Sequence, residues 1–173
     1  VMAMTFIPSL CAARPAALRL ARAGKPPVRI AALRTLAVVG TASDVAMLAQ
    51  TAAAGLGEES EAARVALGAL PGREPSQAIK ALLPDNAPPI RVELIRALAA
   101  RGATDGVLLI LPQISDSDGA IRRAALDAVA ALGDERQVPP VIAFLEAAPD
   151  EASRNQAEKT LSTLVTRAGP KCL

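Results

Sequence analysis

The 173-residue chain contains no histidine, no tryptophan and no tyrosine, and its only aromatic residues are Phe6 and Phe144. Without imidazole the chain can form no Ser-His or Cys-His dyad, no imidazole-ligated zinc or iron site and no histidine-ligated haem site. A domain of this length normally relies on aromatic side chains, each burying about 150 to 250 Å², to close its core. This chain must close its core with other residues. Cysteine is scarce as well. Cys11 and Cys172 stand 161 residues apart with no CxxC and no metal-ligand spacing, so they read as isolated thiols and leave the redox compartment open. Long apolar runs are missing too: the longest uncharged stretches, residues 1–13 and 45–57, have 13 residues each. Spanning a bilayer takes about 20, so no membrane span is expected. Residues 1–13 have no basic region ahead of their apolar stretch and do not read as a signal peptide, and Val1 in place of an initiating methionine suggests an excised fragment or a tag remnant. The compartment is unknown, with the cytoplasm as the default expectation.

What the chain does have is alanine, 39 residues of it, and leucine, 22 residues, within an apolar content of 51%. Small residues and strong helix formers favour closely packed helices over a sandwich or barrel. The net charge of +2 is too small to imply nucleic acid, but its distribution is uneven. Residues 1–43 hold Arg14, Arg19, Arg22, Lys25, Arg29 and Arg34 and no acid, while the remainder carries 13 basic and 17 acidic groups. A solvated helix surface explains such an asymmetry, and an interaction end is the alternative.

An internal repeat organises the chain. Aligning apolar-Arg pairs gives VRIAALRTLAVVG from Val28, IRVELIRALAARG from Ile90 and IRRAALDAVAALG from Ile121. A degenerate copy, ESEAARVALGALP, starts at Glu59, and SRNQAEKTLSTLV follows from Ser153, so the period is 31 to 32 residues. Shorter apolar stretches lie between: RPAALRLARAG, SDVAMLAQTAAAG, EPSQAIKALLPD, DGVLLILPQISD and VPPVIAFLEAAPD. Apolar residues recur at three- and four-residue steps in both, and Gly or Pro breaks follow at Gly24, Gly40, Gly55, Pro71, Pro84, Gly102, Gly133 and Pro149. Each unit is thus a helical hairpin, with the longer helices expected near 26–39, 58–70, 88–101, 119–132 and 150–166. One hairpin cannot bury both apolar faces, whereas a stack builds a continuous core, and four steps of about 8 to 10 Å give roughly 40 Å of stacking. Ala31, Ala32, Ala62, Ala63, Ala124 and Ala125 occupy matched positions where small side chains let helices approach closely. In such a stack Cys11 and Cys172 fall near opposite ends, beyond the roughly 7 Å Cα separation that a disulfide permits.

With these residues the chain resembles the HEAT-repeat family, particularly the short bacterial type also seen in phycobiliprotein lyase-like proteins. The family pattern has a proline in the first helix, an aspartate at the turn and an arginine six residues later; here Asp85 precedes Arg91 and Asp116 precedes Arg122 by six, and Pro15 and Pro140 precede Arg29 and Arg154 by 14. No single repeat has every element, and the second carries Ser60 where the arginine belongs. The resemblance covers residues 14–166 and implies an all-α, right-handed α-solenoid of about five hairpins, with armadillo-like superhelical character. Its repeats fall at about 14–40, 41–71, 72–102, 103–133 and 134–166, with residues 1–13 as an N-terminal half-repeat or cap and 167–173 as a C-terminal tail. In the family the Asp and Arg side chains link one repeat to the next, which makes Arg29, Asp85, Arg91, Asp116, Arg122 and Arg154 a structural ladder.

Nothing in the sequence points to catalysis. Paired carboxylates occur only as neighbours in turns, Glu58 with Glu59, Asp116 with Asp118 and Asp134 with Glu135, where capping explains them. There is no GxxxxGK[ST], GxGxxG or GxSxG. HEAT-like deoxyhypusine hydroxylases hold iron with His-Glu pairs, which excludes this chain, and HEAT-like DNA glycosylases use a basic face with aromatic side chains, for which two phenylalanines are too few. No cofactor and no metal are expected. The resemblance implies a non-catalytic protein-interaction scaffold, alone or as a module of a larger protein, with three alternatives: a bilin lyase-like subunit acting on a phycobiliprotein, a HEAT-like nucleic-acid binder, the less favoured partner, and a spacer between domains of a larger protein. In HEAT stacks the second helices line the concave side, and their outward positions here are Arg34, Val65, Arg96, Asp127 and Lys159. Three of the five are basic, which suits an acidic segment of another protein, with a solvated face as the equal alternative.

Overall fold

The computed structural model describes residues 8–55 and 57–169; Phe6, Cys172 and the side chain of Cys11 lie outside the described residues. The described residues form ten α-helices and no strand. They divide into two compact units, residues 1–79 and 80–173, each taken by itself below.

Within residues 1–79, α1 (Pro8–Ala23) packs on α2 (Pro26–Val39), α2 packs on α4 (Glu58–Ala69), and α3 (Val45–Ala53) packs on α4. Two hairpins therefore lie side by side with their second helices in contact. The first helix, α1, begins at Pro8 and runs through Pro15. Pro26 and Pro27 open α2, where a missing N–H costs nothing and a fixed φ suits the first turn. Thr41, Ala42, Ser43 and Asp44 form a capping box ahead of α3. Leu33, Leu36, Leu48 and Leu67 are fully buried, and Ala32, Ala49, Ala52, Ala62, Ala63 and Ala66 fill the seams between them.

A fifth helix, α5 (Glu74–Leu82), spans the division at residues 79 and 80. Within residues 80–173 the second helices α6 (Pro88–Ala100), α8 (Gly119–Leu132) and α10 (Glu151–Ala168) pack in succession, and α9 (Val138–Glu146) packs on α10. The stretch DGVLLILPQISD is not one helix. It forms a single α-turn, α7 (Val107–Ile110), followed by a 3-10 segment over Leu111–Ser115, because Pro112 has no N–H to continue the α ladder. Gly102 ends α6 at φ 63°, with Ala103 N–H bonded to Leu98 O at 3.0 Å, a Schellman closure that requires left-handed backbone. Asp118 caps α8 by accepting from Ala120 N–H and Ile121 N–H, and Asp150 caps α10 by accepting from Ser153 N–H. Leu94, Ile95, Leu98, Ile110, Ile121 and Leu126 are fully buried in this unit, and Phe144 is buried as well.

The second helices end within two residues of the positions their Gly and Pro breaks predict. Of the six matched alanines, five are buried and Ala31 is exposed.

Candidate binding surface

Side chains that link consecutive repeats run along the helix starts. Arg29 reaches from α2 to Glu59 on α4, with Nε to Oε1 at 2.9 Å and Nη2 to Oε2 at 2.5 Å. Arg91 on α6 donates to Asp116 Oδ2 at 2.7 Å and also to Gln113. Arg122 on α8 donates to Asp150 Oδ2 at 2.6 Å, to Ser153 Oγ at 3.1 Å and to the carbonyls of Asp116 and Ser117. The planar guanidinium fork lets one residue hold two repeats and the intervening turn. Arg154 and Asp85 enter no such pair among the described residues. Both are exposed, and Ser60 stands at the position that the spacing of Arg91 from Asp116 would assign to a partner of Asp85.

Further links had no motif in the sequence to announce them. Arg14, placed by sequence in the basic N-terminal group, grips Asp44 through Nε at 2.9 Å and Nη2 at 2.7 Å. Asp44 is 3% exposed and also accepts Thr41 N–H at 2.8 Å. The signal was available in the 30-residue spacing that Arg14–Asp44 shares with Arg29–Glu59. Lys80 pairs with Asp105 at 2.5 Å. Arg167 reaches back from α10 to the carbonyls of Ala130, Ala131 and Gly133, placing a cation where the α8 dipole is negative.

The electrostatics of these groups are those of structural pairs. Burial raises the Asp44 carboxyl, but hydrogen bonds from Arg14 and Thr41 outweigh it and the net shift is downward. Arg29 lowers Glu59, Lys80 lowers Asp105, and the Asp118 N–H followed by Arg91 lowers Asp116. Asp134 falls to about 2 under the Arg136 side chain and backbone N–H. Each carboxylate is held ionised, whereas a general acid near neutral pH needs its pKa raised.

A cleft of about 730 Å³ lies against α9, lined by Pro112, Ile114, Pro140, Phe144, Ala147 and Pro149 together with Asp116 and Arg122. The carboxylate and the guanidinium facing this cleft are already engaged in the ladder. Among the described residues no group of three or more Asp, Glu or Cys side chains could hold a metal ion, and no helix is long and apolar enough to cross a membrane.

The outward positions of the second helices are all exposed. In residues 1–79 these are Arg34 on α2 and Val65 on α4, the latter 55% exposed. In residues 80–173 they are Arg96, Asp127 and Lys159 on α6, α8 and α10. Arg96 shares its guanidinium with the buried Glu93 at 2.9 Å, Asp127 accepts from Gln156, and Lys159 has no partner among the described residues.

The model for HEAT repeats matches residues 75–162, just over half of the chain. The chain belongs to the HEAT-repeat family. Its all-α hairpin architecture is the architecture of that family. HEAT repeats generally mediate protein–protein interaction, and the family is typically non-catalytic. No curated protein matches the chain.

Proposed function

We propose that this HEAT-repeat chain is a non-catalytic binding scaffold that holds another protein on the open face of its second helices. The observation behind this reading is the exposure of Arg96, Asp127 and Lys159 at equivalent positions of three successively packed helices. A partner segment laid across α6, α8 and α10 would meet one side chain per repeat, the manner in which stacked repeats present extended surfaces. Two of these three residues are basic, and Arg34 on α2 adds a third cation at the matching position of residues 1–79. An acidic segment is therefore the complementary partner, with charge setting register and encounter rate more than total affinity. The ladder arginines Arg29, Arg91 and Arg122 are committed to repeat-to-repeat links and act by holding the hairpins in place.

Affinity capture with the tagged protein, compared with its Arg34→Glu, Arg96→Glu, Lys159→Glu variant, tests this reading. Arg96→Glu also removes a partner of the buried Glu93, so the Arg34→Glu, Lys159→Glu variant, changed only at exposed positions, is run beside it and should keep the wild-type helical circular dichroism; each should lose captured partners by about tenfold or more, a loss of the order of one decade in Kd. Unchanged capture by the folded variant overturns the role of these residues.

A further inference from the structure

The row of outward positions has an acid in its middle. Asp127 on α8 stands between Arg96 on α6 and Lys159 on α10, where a carboxylate opposes the acidic segment that the two cations attract. This acid is already engaged: Asp127 Oδ1 accepts from Gln156 Nε2 of α10. One helical turn earlier on the same face of α8 lies Arg123, exposed and with no hydrogen bond or ion pair among the described residues. It follows the ladder arginine Arg122, yet the repeat pattern does not require a cation there, since the equivalent residues are Val92 in the third repeat and Asn155 in the fifth.

Arg123 and Gln156 line one recess. It has a volume of about 230 Å³ and lies between α8 and α10, toward the starts of both, with Leu126 and Ala152 as apolar lining. Arg122, Asp150 and Ser153 also line it, and the ladder accounts for all three. Arg122 Nη2 donates to Asp150 Oδ2 at 2.6 Å and its Nε to Ser153 Oγ at 3.1 Å, while Ser153 N–H donates to Asp150 Oδ1 at 2.7 Å. The charges of Arg122 and Asp150 therefore cancel, and Arg123 is left as the uncompensated charge among the residues that line the recess. Gln156 joins the recess to the row, because the same side chain lines the one and holds Asp127 of the other.

We propose that this recess is a carboxylate subsite of the second-helix surface: Arg123 takes an aspartate or glutamate side chain of the acidic segment laid across α6, α8 and α10, and supplies the cation that Asp127 does not. The subsite rests on the reading of that surface as a site for an acidic segment. A guanidinium fork donates two parallel hydrogen bonds to one carboxylate, and Leu126 and Ala152 offer apolar contact to the methylene groups of the incoming side chain. With Arg96 and Lys159 one helix to either side, the segment needs its acids about one helix spacing, roughly 8 to 10 Å, apart.

The probe is a fluorescein-labelled dodecapeptide with glutamate at every third residue and glycine and serine between, which spaces its carboxylates about 10 Å apart when extended. Its counterpart has glutamine at every glutamate. Fluorescence anisotropy at about 0.15 M salt, where long-range attraction is screened, should show the glutamate peptide binding about tenfold or more tightly than the glutamine peptide. Arg123→Gln should weaken glutamate-peptide binding by about tenfold, and Arg123→Lys, which keeps the charge and loses the fork, by less. Ala152→Leu, which fills the recess from an exposed position without changing charge, should weaken it by about tenfold as well. Arg154→Gln removes one charge from an exposed position outside the recess and should bind the peptide as the wild type does. No binding of the glutamate peptide, equal binding of the two peptides, equal weakening by Arg123→Gln and Arg154→Gln, or no effect of Ala152→Leu overturns the proposal. Lys159→Glu separates it from the reading on which it rests. Weakening by Lys159→Glu with none by Arg123→Gln overturns the subsite and leaves the row standing, whereas weakening by Arg123→Gln and Ala152→Leu with none by Lys159→Glu supports the subsite and overturns the row.

Discussion

Asp44 shows most clearly how single residues hold this chain together. It is buried, it is ionised, and every one of its oxygens has a donor in Arg14, Thr41 or both. Asp44→Ala strands the Arg14 guanidinium and the Thr41 N–H, and should lower the stability of residues 1–79 by about 2 kcal/mol in urea denaturation. The acidic pairs also set the pH dependence. Asp44, Glu59, Asp105, Asp116, Asp134 and Asp150 all have folded-state pKa values below their ordinary ones. As pH falls, the unfolded chain takes up these protons first, at about pH 4, so their stabilisation is complete above about pH 5 and declines below it. With no histidine side chain to titrate, thermal melts should give one Tm from about pH 5.5 to pH 7.5 and a falling Tm below about pH 4.

Among the elements, the ends of the second helices matter most. Gly40 and Gly133 close α2 and α8 at extended φ values of −72° and −74°, so conformational freedom is not why they are glycine. The reason is space. A Cβ at Gly40 would lie 2.5 Å from Leu36 O and 2.5 Å from Leu70 Cδ2, and one at Gly133 would meet Val129 O at 2.6 Å and Leu164 Cδ2 at 3.1 Å. Leu70 and Leu164 belong to the next repeat, so the glycines set how tightly the hairpins nest. Gly40→Ala and Gly133→Ala should each cost about 1 to 3 kcal/mol in chemical denaturation, with backbone carbonyls leaving little room to relax. These ends were legible in the sequence because Gly40, Pro71, Gly102 and Gly133 recur with the period. The break in the fourth first helix was less legible, since VLLILPQI has an apolar pattern that suits a helix and only Pro112 opposes it. The 30-residue pair Arg14–Asp44 is hard to see in the sequence because Arg14 is one of six N-terminal cations, and a partner in the next repeat is visible only when the two turns are superimposed. Ala31 looked like any other seam alanine for a related reason: periodicity gives a position its role but not its neighbour.

For the whole molecule, the scarcity of aromatic side chains fits the way the hairpins pack. Hairpins that pack only on their neighbours have thin seams, filled here by alanine, leucine and isoleucine, and they leave long faces rather than an enclosed centre. Stability is then local, and a lesion should spread to neighbouring repeats before distant ones. Arg122→Ala, which cuts the links to Asp150, Ser153 and the turn at Asp116, should speed hydrogen exchange in α8 and α10 while α1 to α4 keep their wild-type protection. The central functional claim is that exposed second-helix positions, rather than a pocket, engage the partner. Its most direct test is lysine acetylation of the captured complex read by mass spectrometry, because Lys159 lies on the proposed row and Lys80 is tied to Asp105. The account predicts that Lys159 becomes strongly protected in the complex while Lys80 reacts as in the free protein; a Lys159 that stays equally reactive when the partner is bound would contradict it.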